Sequence, residues 1–149
     1  MNISGLLMTA AFATGAMIPL QLAFNAQLGG VTRSPFTAGL IVFLVGSAIM
    51  TAIVLAFRAR FPSFGELAEA PKTIWLGGLI ASVYVLSIVV VSPRLGVGVT
   101  TAFILAGQIV MAMLLDHFGL FGNPQHSLNL WRAGGAALMM LGIIVIKTH

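Results

Sequence analysis

Four stretches without a single ionisable carboxylate, lysine or arginine constrain this chain more than any other feature. They cover residues 1–32, 34–57, 73–93 and 95–115, and each exceeds the roughly 20 residues with which an α-helix crosses the hydrocarbon core of a bilayer. Lipid offers no hydrogen bonds, so a backbone at that depth must satisfy itself as helix. A fifth apolar stretch, 128–146, carries Arg132 near one end beside Trp131; a guanidinium there can snorkel to the headgroups while the indole anchors the interface. Charged residues make up 7% of the chain, against roughly 25% in soluble domains. The expected fold is an all-α membrane protein, a single domain of five transmembrane helices at about 3–24, 36–57, 73–91, 97–115 and 128–146.

Several classes are set aside by the same reading. The first apolar run has no preceding Lys or Arg and outlasts the ~7–15 residues of a signal-peptide core, so it is expected to stay in the mature chain. The absence of cysteine excludes disulfides, thiolate chemistry and Cys-based metal sites. A net charge of +4 arises from basic residues scattered over helix ends, not clustered, which argues against nucleic-acid binding. No cofactor and no metal site is expected, and no enzyme, since no nucleophile or paired carboxylates lie together at membrane depth.

Within the first span, residues 15–25 place Pro19, Gln21 and Asn25 in otherwise apolar surroundings. Pro19 cannot donate to the carbonyl of Gly15 and its ring crowds that turn, so a helix kink is expected there. Gln21 and Asn25 are four residues apart, which puts them on one helix face just past the kink. Their amides need partners that lipid does not supply, so they should line a polar cavity inside the bundle.

Other positions admit two readings. Tyr84 in the third span either packs with an internal hydrogen bond or contacts a ligand. Gln108, near mid-bilayer in the fourth, either lines the cavity or bonds a neighbouring helix. Small residues at seven- or four-residue spacing suggest close helix contacts: Gly39 and Gly46; Gly98, Ala102 and Ala106; Gly135 and Gly142. Asp116 and His117 are expected to terminate the fourth span, since no nucleophile or third ligand stands at a spacing that would make them a dyad or a metal site. Gly29 and Gly30, followed by Arg33, Ser34 and Pro35, should break the first helix; 58–72 reads as a solvated loop; 92–96 reads as a turn short enough to make spans three and four antiparallel neighbours.

Basic residues divide four against three between the two sides, a bias that permits either orientation and leans toward a cytoplasmic N-terminus. Two tandem copies of a five-span unit are automatically inverted relative to one another, a common transporter plan. No internal repeat is visible, so the whole chain would be half of an inverted-repeat ten-helix transporter, reached here by an antiparallel homodimer. The smooth side of the last helix supplies a face for a second copy.

The order and spacing of particular residues also resemble a known family. Pro19-Leu20-Gln21 with Asn25, Ser34-Pro35, Gly77-Gly78 with Tyr84, Pro93 with Leu95-Gly96, Gly107-Gln108 with Asp116 and Gly119, and Arg132 before Gly134-Gly135 are similar to the YdcZ-type branch of the drug/metabolite transporter (DMT) superfamily. The resemblance covers nearly the whole chain and implies an exporter of the bacterial inner membrane, similar in construction to the small multidrug exporters. Those use a carboxylate in their first helix, whereas here that helix carries no acid and the chain's only acids are Glu66, Glu69 and Asp116. A neutral or zwitterionic small-molecule substrate therefore fits a site of Gln21, Asn25, Tyr84 and Gln108 better than a hydrophobic cation does. The alternatives are a passive channel of the same architecture and a non-transporting membrane subunit that binds a partner through the last helix.

Overall fold

The computed structural model describes residues 2–148. Its α-helices are α1 (Ile3–Thr32), α2 (Pro35–Ala56), α3 (Phe64–Glu69), α4 (Leu76–Leu95), α5 (Val97–Phe118) and α6 (Leu130–Thr148), with 3-10 turns at Lys72–Trp75 and Leu120–Gly122. All except the short α3 are long and apolar enough to cross a membrane. The protein is an all-α membrane protein with five spanning helices. Large apolar side chains such as Phe12 and Leu138 stand exposed, the surface that a spanning helix presents to lipid. Two compact units divide the chain, one of Met1–Pro19 with Leu95–His149, the other of Leu20–Arg94.

In the Leu20–Arg94 unit the first helix does not stop at its glycines. It runs through Gly29 and Gly30 to Thr32, eight residues beyond the expected end. The reason is packing: a Cβ on Gly29 would lie 2.7 Å from Cγ1 of Val89, so this glycine admits a neighbouring helix and does not break its own. The break comes at Arg33, whose φ of 52° leaves the helical region. Ser34 is extended and its hydroxyl accepts from the Thr37 N–H, while Pro35 occupies the first turn where no N–H is needed. With 30 residues α1 exceeds the ~20 that cross a bilayer core.

Around α4 the same unit forms its small core. Val85, Ile88, Val89 and Ser92 are buried at i, i+3, i+4 and i+7, one stripe of the helix. Leu22 and Asn25 are the buried residues of α1, Ala38 and Gly39 those of α2. A Cβ on Gly39 would meet Leu86 Cδ2 at 3.2 Å, whereas one on Gly46 would meet nothing within 4 Å; of that expected pair only Gly39 is in close contact. Pro93 lies inside α4, not in a turn. It falls in the last turn, where it cannot donate to the Val89 carbonyl four residues back, and the helix ends before Gly96, which adopts φ 82°.

The stretch 58–72, read as plain loop, contains α3. Ser63 and Glu66 form a capping box: the Ser63 hydroxyl accepts from the Glu66 N–H and the Glu66 carboxylate from the Ser63 N–H. Hydrogen bonding to the carboxylate from the Ser63 backbone N–H first, then from the Ser63 side chain and Arg60, holds the Glu66 carboxyl below its usual range.

In the other unit α5 and α6 form an antiparallel hairpin whose register is set by successive contacts. Lys147 Nζ lies 5.9 Å from the Phe103 ring centroid, Ala102 and Ala106 pack with Ile143, and Arg132 Nη2 donates to Asp116 Oδ2 at 2.5 Å. The alanine ridge is a helix-packing surface, as its spacing suggests. Arg132, expected to reach for the headgroups, is instead tied inward. Its Nη1 donates to the His126 carbonyl, and the His126 N–H donates to the Asp116 carbonyl. Asp116 and His117 end α5 together with Gly119, which adopts φ 58°. The Leu128 N–H then donates to His117 Nδ1.

Replacing Arg132 with glutamine removes the charged partner of Asp116 and one anchor of the 119–129 connection. Each side chain of the pair is about a third exposed, so the loss should be about 1–2 kcal/mol, the low side of the range for charged hydrogen bonds. Limited proteolysis in micelles should cut this connection faster in Arg132→Gln than in the unaltered protein; equal rates would assign the ordering of the loop to other contacts.

Candidate polar site

Three of the four expected site residues belong to the Leu20–Arg94 unit, and Gln108 belongs to the other. Along α1 the buried face is drawn by Leu22, Asn25 and the Gly29 contact with Val89. Asn25 sits inside it at 6% exposure. Gln21, one turn earlier, is displaced by about 40° round the helix and is exposed. Tyr84 stands beside the buried stripe of α4 and is half-buried. In α5, Gln108 is two residues past Ala106, hence about 200° round from the surface that packs on α6. It is exposed, so hydrogen bonding to α6 is not its use.

In each unit some polar side chains are left without a hydrogen-bond partner. Asn25 Nδ2 is buried with no partner, and a buried donor left unpaired costs about 1–3 kcal/mol. Among the described residues the side chains of Gln21, Tyr84 and Gln108 make no hydrogen bond either. Two hydroxyls that the sequence does not single out share this state: Ser92 Oγ and Thr100 Oγ1, each 2% exposed and unpaired. Their neighbours show that a partner is locally available. Ser87 donates to the Val83 carbonyl at 2.7 Å and Thr101 to the Val97 carbonyl at 2.8 Å, one turn back in each case. Ser92 and Thr100 forgo that bond, a property of rotamer and packing that no sequence pattern announces.

Pro19 lies within an unbroken α1. Its ring nitrogen removes the donor that the Gly15 carbonyl would receive, and open space surrounds Gly15. Arg33 and Arg94 are brought to one crevice in the Leu20–Arg94 unit, a feature obtainable from the sequence only by following the alternation of spans.

No curated protein sequence and no solved structure matches the chain. A family model does, over residues 6–145, and its description is "Putative inner membrane exporter, YdcZ". Both the amide-bearing segment of α1 and the Asp116–Arg132 hairpin fall inside the matched region, which spans all five membrane helices. The chain therefore belongs to the YdcZ family of inner membrane exporters, and it is a membrane transporter protein of five spanning helices.

Proposed function

We propose that this chain is half of a carrier, and that two copies in antiparallel arrangement enclose a polar site near mid-bilayer. Gln21, Asn25, Tyr84 and Gln108 bind a neutral or zwitterionic small molecule there, and rocking of the two halves exposes it to each side in turn. The observation that carries this reading is the unpaired amide of Asn25 inside a spanning helix. Exposed amides at Gln21 and Gln108 support it, because in lipid each needs water, substrate or another chain. So does the open side of α6, where a Cβ on Gly134, Gly135 or Gly142 would meet nothing within 4 Å. A five-span unit duplicated by dimerisation gives the inverted plan of many secondary transporters.

Proteoliposomes loaded with radiolabelled amino acids and polar neutral metabolites test the proposal. A transported solute should be found whose flux saturates and whose apparent affinity falls about tenfold in Gln21→Ala and in Gln108→Ala, the effect of one lost polar contact. Flux identical in both variants and the unaltered protein removes these residues from the site. Turnover far above that of a carrier would make the same architecture a channel.

A further inference from the structure

We propose that the crevice between the C-terminal ends of α1 and α4 is a binding site for a phosphate-bearing anion, held by Arg33 and Arg94. The crevice has a volume of about 420 Å³, within the range of small-ligand sites. Gly29, Gly30, Val89 and Val90 form part of its wall, and both arginines and Ser34 line it. Its shape follows from the Gly29–Val89 approach, which brings the two helices close one turn before each reaches its arginine. The α2 N-terminus, capped by Ser34, opens on the same crevice and sets the positive end of its dipole against the negative ends of α1 and α4, so the attraction for an anion rests on the two arginines.

What points to an anion is the missing counter-charge. Neither guanidinium forms a hydrogen bond or ion pair among the described residues, whereas Arg60 is bonded to Glu66 and Arg132 to Asp116. Within this unit the acids are Glu66 and Glu69, which follow the far end of α2. That helix starts at the crevice and, with 22 residues, carries the chain about 33 Å away. No acid of the unit reaches the arginines. Both arginines are exposed at the crevice, so an anion can reach them, and a phosphate held there would accept forked hydrogen bonds from their guanidiniums. Arg33 is also held at φ 52°, beside Thr32 Oγ1, whose single hydrogen is within reach of the Leu28 carbonyl at 2.9 Å and the Ser34 carbonyl at 3.0 Å. The crevice lies at the ends of spanning helices, so the phosphate can belong to an anionic lipid headgroup or to a dissolved solute.

Isothermal titration of the purified full chain in maltoside micelles separates these sources. The probes are dihexanoyl phosphatidylglycerol and inorganic phosphate, with Arg33→Gln, Arg94→Gln and, as control, Arg58→Gln from the exposed 58–72 stretch. Circular dichroism and gel-filtration volume establish that each variant is folded. At least one probe should bind saturably, at least tenfold more weakly to Arg33→Gln and Arg94→Gln, and equally to Arg58→Gln. Binding of the lipid alone assigns the site to a headgroup; binding of inorganic phosphate assigns it to a soluble anion. Binding of neither probe, or binding that both crevice variants retain, overturns the proposal.

Discussion

Gly29→Leu should fail to accumulate as a folded protein, while Gly30→Leu, one position along the same helix, should be tolerated. Even a methyl group at position 29 would sit 2.7 Å from Val89 Cγ1, whereas position 30 meets nothing within 4 Å. Valine in a helix has essentially one χ1 rotamer, so Val89 cannot swing aside, and the helices must separate. Val89 is buried with Val85, Ile88 and Ser92, and separation exposes that stripe as well. Overpacking of this kind costs typically 1–3 kcal/mol for added methylenes, and leucine adds the opened interface to it. Gly29→Ala is the informative intermediate. It gains about 1 kcal/mol of helix propensity against the clash, so its net effect should be destabilising by only about 1 kcal/mol. Combining Gly29→Ala with Val89→Ala should restore part of that loss, the coupling expected of residues in direct contact. Thermal unfolding in detergent, followed by the monodisperse peak on size exclusion, measures all of these. An unchanged melting temperature in Gly29→Leu would mean that the two helices do not meet at this glycine in the folded protein.

The same glycine shows where reading the chain alone stops short. The spanning helices are legible because charge exclusion over more than 20 residues has one physical solution in a bilayer. Their ends are not, since Gly-Gly before Arg-Ser-Pro signals a break and close packing equally well, and the deciding atom belongs to Val89, sixty residues away. The alanines of α5 are legible as a packing ridge because their spacing is local. Arg132 and Asp116 are sixteen residues apart across a turn, and nothing periodic links them. The capping box of α3 was available in Ser63-Phe64-Gly65-Glu66, a local signature hidden within a charged loop. For the polar site, spacing puts Gln21 and Asn25 on one face, but the 40° between them decides which is buried, and that depends on the neighbour that α1 meets.

Asn25→Leu should raise the stability of the protein and abolish its transport. Leucine keeps the branched shape and the number of heavy atoms without a polar atom, so it removes the unpaired Nδ2 donor and its penalty of about 1–3 kcal/mol. Leu22, the adjacent buried residue of α1, shows that this face accepts an aliphatic side chain. A rise in melting temperature with loss of flux is the signature of a group kept for function at the expense of stability. Asn25→Asp separates the roles further. It keeps the size and one acceptor but loses the Nδ2 donor, and it places a carboxylate at a buried position, so it should lower stability as well as flux. If Asn25→Leu instead melts well below the unaltered protein, the amide is paired in the folded state and its role is structural. If that variant transports at the normal rate, the substrate does not touch Asn25. A gain of stability together with loss of flux is expected only where the missing partner of the Asn25 amide is the transported molecule or the water that accompanies it.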